Sequence, residues 1–218
     1  MPSRDYHERI WEGVPEGGDP PDLPLRRAFL LEHVRPPSRV LDAGCGEGRF
    51  AAELARAGMS VVGVDVAEEP LRRARARHPG LDLRIVPAED TWPLPDASFD
   101  AVWAGETIEH VADTSGWLSE VRRLLRSGGR LLLSTPAHGR LALSWLALSG
   151  RAFDAHFDPR ADHLRFYTRR TLKRALEDSG FEDIEIREAG GIPGARRLLL
   201  ASARKSSFSP EALVEGRP

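Results

Sequence analysis

Val40-Leu41-Asp42-Ala43-Gly44-Cys45-Gly46-Glu47-Gly48-Arg49-Phe50 is the stretch whose reading decides the fold. An apolar strand runs into a glycine loop, and the loop opens a helix expected over residues 49–57. Three glycines at alternate positions let the backbone turn at positive φ and leave no Cβ in a ligand's way. Asp42 ends the strand, which sets a carboxylate beside the crevice where open α/β sheets bind ligands. Spacing then separates this loop from a dinucleotide fingerprint, which needs G-x-G-x-x-G or a closing Ala. Gly44 and Gly46 fit, but the closing position is Arg49, whose long side chain would crowd the helix–strand contact. The pattern present is D-x-G-x-G-x-G. Its acidic residue suits a ligand with an α-amino group and would repel a pyrophosphate.

A length of 218 residues suits one α/β domain with a small cap. Hydrophobic content of 41% and charged content of 29% are ordinary for a globular protein. A formal net charge of −2 argues against nucleic acid held by bulk electrostatics. The single Cys45 excludes an intrachain disulfide and fits a reducing cytoplasm. Inside the glycine loop it reads as a small packing residue rather than a nucleophile. No signal peptide and no transmembrane run of 18 apolar residues are present, so a cytoplasmic protein is expected.

Residues 1–24 are rich in Pro, Gly and Asp, with one amphipathic piece from Tyr6 to Trp11. They read as an arm, or as a lid that folds over a bound ligand. A helix is expected over 25–34, stopped by Pro36-Pro37. Strands at 60–66, 81–86, 99–104 and 131–135 then alternate with helices at 68–77 and 115–126. Ser127-Gly128-Gly129 is expected to cap the second of these helices. An insertion at 137–165 carries a short apolar helix, 141–148, followed by Phe153, His156 and Phe157. It reads as a lid over an acceptor, a dimer face, an interfacial helix making peripheral lipid contact, or an ordinary buried cap. A helix at 168–179 and strands at 181–188 and 195–203 close the domain, and 204–218 reads as a loose tail. Periodicity therefore describes a doubly wound α/β domain over 25–203. Asp65 ends the second strand about 20 residues after the loop, where a carboxylate could take both hydroxyls of a ribose or cap the next helix.

The combination of Asp42-x-Gly-x-Gly-x-Gly, Asp65, Ala88-Glu89-Asp90, Phe99-Asp100 and the segment from Leu125 to Pro136 resembles class I S-adenosylmethionine-dependent methyltransferases. It is similar to the methyltransferase type 11 group, which includes the ubiquinone-biosynthesis O-methyltransferases. That resemblance implies a mostly parallel seven-stranded Rossmann-like sheet whose last pair is antiparallel. It implies S-adenosyl-L-methionine as cofactor, held by Asp42, Gly44, Gly46, Gly48 and Asp65. The Ala88 backbone and Glu89 would hold the adenine, and the Gly105 backbone would contact the methionine portion. Arg26, in Leu23-Pro24-Leu25-Arg26, resembles a ubiquinone-pathway arginine that pairs with the methionine carboxylate. Its bland alternative is an exposed helix charge.

Methyl transfer is an in-line displacement, so the protein mainly aligns the acceptor and, for a hydroxyl, removes a proton. The place for that is the loop after the fourth strand, Gly105-Glu106-Thr107-Ile108-Glu109-His110-Val111. His110 is a candidate general base, with Glu109 beside it. Glu106, Glu109 and His110 spell E-x-x-E-H, which on a helical turn would project all three to one side. Resemblance to the ubiquinone-pathway enzymes and to small-RNA 3′-terminal 2′-O-methyltransferases implies that His163 completes a two-Glu, two-His site for a divalent cation such as Mg²⁺. A metal-free base, or plain packing and capping, are the other readings of these residues. The expected function is methylation of a small hydroxylated acceptor, with an apolar one favoured. An RNA 2′-O-methyltransferase and a non-catalytic S-adenosylmethionine-binding protein are the alternatives.

Overall fold

The structure is a computed structural model that describes residues 4–88, 90–158, 161–192 and 196–206. Two helices, α1 (Arg4–Gly13) and α2 (Leu23–His33), precede the glycine-loop strand β1 (Arg39–Ala43). Pro24 stands in the first turn of α2, where a missing N–H costs nothing, so that helix starts two residues earlier than expected. Then come α3 (Arg49–Arg56), β2 (Ser60–Asp65), α4 (Glu68–Arg77), β3 (Asp82–Ile85) and β4 (Phe99–Gly105). A single 3-10 turn, Ile108–His110, leads to α5 (Thr114–Leu124) and β5 (Leu125–Pro136). The insertion folds as α6 (Arg140–Ala147) and α7 (Gly150–His156). Helix α8 (Arg169–Asp178) and strands β6 (Phe181–Ala189) and β7 (Leu198–Lys205) complete the chain.

The strands form one seven-stranded sheet in the order β3-β2-β1-β4-β5-β7-β6. All neighbours are parallel except β7, which runs antiparallel to both β5 and β6. The doubly wound, Rossmann-like methyltransferase fold expected from the sequence is therefore present. Side-chain alternation along each strand divides the core into two layers. Leu41, Val102, Leu131 and Leu133 face α5 and α8 through Leu118, Val121 and Leu172. Val40, Trp103 and Leu132 face α2 and α3 through Phe29, Leu30 and Leu54. Strand order reverses between β1 and β4, so the loops after these two strands flank the crevice where such sheets bind ligands.

One expected cap is a strand irregularity instead. Helix α5 ends at Leu124, and the chain is already extended at Leu125, with ψ 135°. Ser127-Gly128-Gly129 lies inside β5, beside the register shift between Phe99 and Ala101 on β4. Gly128 takes φ 72°, and a Cβ on Gly129 would stand 2.9 Å from the Arg126 carbonyl oxygen. The pair bends a strand that the apolar run 131–135 alone could not reveal. The last strand continues to Lys205, so the expected tail begins later, and 207–218 lie outside the described residues. Among the described residues no helix is long and apolar enough to cross a membrane.

Candidate active site

The glycine loop folds back on β2, since Gly44 and Cys45 both donate N–H to the Val64 carbonyl at 2.9 Å. Gly44 takes φ 77°, and a Cβ there would meet Thr107 Oγ1 at 2.6 Å. Gly46 takes φ 52°, and a Cβ there would meet the Trp11 ring at 3.0 Å. Both positions need glycine for conformation and for space. Gly48, also left-handed, is the N-cap of α3. Asp65 is buried, accepting the Gly46 N–H at 2.9 Å through one oxygen and the Ala67 N–H at 3.1 Å through the other. The N-cap of α4 is Ala67, without a side-chain bond, so Asp65 is a brace between loop and strand rather than a helix cap. A carboxylate has about four lone-pair positions, so capacity remains on the cleft side.

Asp42 and Arg26 lie deeper. Burial pushes the Asp42 carboxyl up to about 7, against the Ala51 backbone N–H and the Arg26 charge, which favour ionisation. Its Oδ2 is buried and has no partner among the described residues. Arg26 is 2% exposed, so the exposed-charge alternative is excluded. Its guanidinium lies 4.7 Å from the Phe50 ring centroid and 5.9 Å from that of Trp103. Nη1 donates to the Pro21 carbonyl at 3.2 Å, while Nε has no partner among the described residues. Burial lowers its pKa, and Glu106, Glu109 and Asp42 draw it back up. Gly105 leaves the room for this arrangement, since a Cβ there would overlap Arg26 Nη2.

The loop after β4 carries the titratable groups. Glu109 is 0% exposed. One of its oxygens accepts from Thr135 Oγ1 at 3.0 Å, and the other, Oε1, is buried without a partner among the described residues. Burial, then the nearby Glu106 charge, pushes its carboxyl up to about 8. The Glu109 carbonyl accepts the N–H groups of Leu164 at 2.8 Å and Arg165 at 3.0 Å, which draws His163 into place. The His110 and His163 rings meet edge to face with centroids 4.9 Å apart. His110 Nδ1 lies 3.1 Å from the Asp162 carbonyl oxygen, and burial lowers its pKa. One ligand atom from each of Glu109, His110 and His163 lies within 4.8 Å of the others.

Glu106 stands apart from that group. The expectation of one helical face fails because Glu106 is left-handed, φ 57°, and the turn starts only at Ile108. Its Oε1 accepts from Ser134 Oγ at 2.9 Å, and its charge faces Arg26. Three of the four expected donors converge, and the fourth braces β5.

A cleft of about 270 Å³ connects the two loops. Gly44, Asp65, Ala88, Glu106 and His110 line it, whereas Arg26, Asp42, Gly46, Gly48, Gly105, Glu109 and His163 do not form its walls. Glu89 lies outside the described residues. Thr107, Trp92, Trp117 and Val64 are among the wall residues that the sequence reading did not name as site residues. Thr107 covers Gly44 and donates to the Ala43 carbonyl at 3.0 Å. Trp92 and Trp117 form apolar walls, and Trp92 Nε1 donates to the Pro87 carbonyl at 3.1 Å. Val64 reads only as strand. Thr135, which holds Glu109, sits in a strand end that the resemblance covered without assigning it a role.

The family model described as a methyltransferase domain matches residues 20–186. The chain is 32% identical to a malonyl-[acyl-carrier protein] O-methyltransferase of Methylococcus capsulatus, over 100% of this chain and 82% of that protein. It is 35% identical to a ubiquinone biosynthesis O-methyltransferase of Dinoroseobacter shibae, over 67% of this chain and 61% of that one. The chain thus spans less than two thirds of the length of that curated relative. Among solved structures, an S-adenosylmethionine-dependent methyltransferase from Mesorhizobium loti superposes with a TM-score of 0.67 at 26% identity, over 89% of this chain and 99% of that one.

Proposed function

The chain belongs to the class I S-adenosylmethionine-dependent methyltransferases, and from that premise we propose that it methylates a hydroxyl oxygen of a small acceptor. The observation that carries this reading is the unpartnered Oε1 of Glu109, buried behind the cleft beside His163 and beside His110, which lines the cleft. Two of the relatives above are O-methyltransferases, which supports oxygen as the acceptor atom.

In this reading the cofactor lies along the cleft with its ribose on Asp65 and its adenine beside the Ala88 backbone. The methionine end reaches past Thr107 to the buried pair, where Asp42 takes the ammonium and the free Nε of Arg26 takes the carboxylate. The acceptor oxygen attacks the methyl carbon in line with the sulfonium: the O–C bond forms as the S–C bond breaks. Its hydroxyl proton passes to the ionised form of Glu109, whose carboxyl burial raises to about 8, or to His110, whose pKa burial lowers so that the imidazole is neutral and free to accept. Glu109, His110 and His163 form a mixed carboxylate–imidazole donor set that fits a divalent cation. Such a cation would supply polarisation of the acceptor hydroxyl. Helix α6 and its C-cap residue present Leu141, Trp145 and Leu148 to solvent at 59%, 72% and 79% exposure, which supports an apolar acceptor met at a lipid surface.

A screen of hydroxylated acceptors with radiolabelled methyl donor tests this. Label transferred to a hydroxyl, with turnover reduced at least about a hundredfold by Glu109→Gln, is the expected result. Loss of turnover on chelation, restored by a divalent cation, is expected if the three donors hold a metal. Transfer confined to amines or thiols, or full activity in Glu109→Gln, overturns the reading.

A further inference from the structure

Helix α1 buries none of its own residues. Yet His7, Ile10, Trp11 and the following Val14 line the cleft, and Trp11 lies against Gly46 of the glycine loop. Apolar burial holds the helices of the core, whereas α1 is attached through polar contacts to α4. Both carboxylate oxygens of Glu8 accept the first amides of α4, Glu68 N–H at 2.7 Å and Glu69 N–H at 3.0 Å. Arg73, 7% exposed on α4, donates to the carbonyls of Trp11 at 2.9 Å and Val14 at 2.7 Å, capping the end of α1. The same guanidinium lies 3.3 Å from Glu47, which sits between Gly46 and Gly48 and accepts the Gly17 N–H at 3.0 Å. Helix, clamp and glycine loop are thus one polar network.

An element held by a few charged hydrogen bonds and little apolar area opens locally at a small fraction of the global unfolding free energy. We propose that α1 is a lid latched over the cofactor cleft by Arg73 and Glu8, and that its opening sets the rate at which cofactor and product leave. Glu47 gives the latch a sensor: a ligand seated on the glycine loop stiffens the residue that orients Arg73, so occupancy favours closure. Because α1 supplies one wall, Trp11 also becomes a contact for the bound molecule. The inference rests on the reading that this cleft takes S-adenosylmethionine.

Dissociation of S-adenosylhomocysteine from the whole 218-residue chain, followed by stopped-flow tryptophan fluorescence, tests it. Arg73→Gln is expected to release the product at least about tenfold faster, the size of one or two lost charge-assisted hydrogen bonds. Glu8→Gln, an outer-surface change that leaves the sheet untouched, is expected to speed release in the same direction. Hydrogen exchange on the wild-type protein gives a readout free of folding defects, with α1 amides slowing when product binds. Release rates within about twofold of wild type in Glu8→Gln and Arg73→Gln, or α1 exchange indifferent to product, overturn the lid alone. Failure of the wild-type protein to bind either cofactor form overturns the cleft reading and the lid together.

Discussion

Asp42 shows at the residue scale how a buried carboxyl is set against stability. Its ordinary carboxyl value is 3.8, and burial raises it to about 7 in the folded chain. The folded state therefore holds this proton more tightly than the unfolded state, and stability falls as pH rises between those values. Removing the titration with Asp42→Asn should stabilise the ligand-free protein by roughly 1–3 kcal/mol above pH 7, and by little below pH 4, in denaturant melts. In the proposed binding mode the cofactor ammonium needs the ionised form, so affinity of the wild-type protein should fall about tenfold per unit as pH drops below about 7. Asp42→Asn should bind weakly at every pH, and calorimetry across pH checks both statements. Gly105 offers a steric test, since its backbone does not take a left-handed φ and only space requires glycine. Gly105→Ala should displace Arg26 at a cost of about 1–3 kcal/mol, with a loss of cofactor affinity larger than the loss of stability.

Elements with local signals were legible, and those shaped by partners were not. Helix α8 carries its own start, a reciprocal Thr168–Thr171 capping box, and its stop, Gly180 at φ 78°. The bend in β5 had no such signal, because a strand bulge answers to register with β4 rather than to its own composition. The insertion was legible as apolar, but its burial was open. The structure leaves α6 and α7 without one buried residue, so its apolar face is not core. The double variant Trp145→Ser with Leu148→Ser should therefore change unfolding free energy by no more than about 0.5 kcal/mol. If that face meets an apolar acceptor or a lipid surface, the same variant should lose binding to anionic vesicles and turnover of apolar acceptors together. A cooperative loss of stability in thermal melts would instead make the face part of the fold.

For the molecule as a whole, the reversal of strand order between β1 and β4 does most of the functional work. It brings a loop near residue 44 and a loop near residue 106 to one cleft, with α1 supplying part of its wall. A ligand bound there stabilises every element tied to the cleft, since only the folded state presents it. Saturating S-adenosylhomocysteine at a hundred times its dissociation constant should add about 2.7 kcal/mol to the unfolding free energy. A matching rise in melting temperature, absent with NAD, checks this in a thermal-shift titration. The sequence by itself determined the doubly wound sheet and the positions of the loops, because periodicity and glycine spacing act over a few residues, while the cofactor class followed from the resemblance of the combined motifs to a methyltransferase family. Only the tertiary structure decided which side chains converge. It turned Glu106 toward Ser134 and Arg26 and set Glu109 with His110 and His163. It also buried Arg26 beneath Gly105 and used Arg73 to clamp α1. Each of those outcomes depends on a backbone angle or a partner tens of residues away, and local spacing carries no record of either.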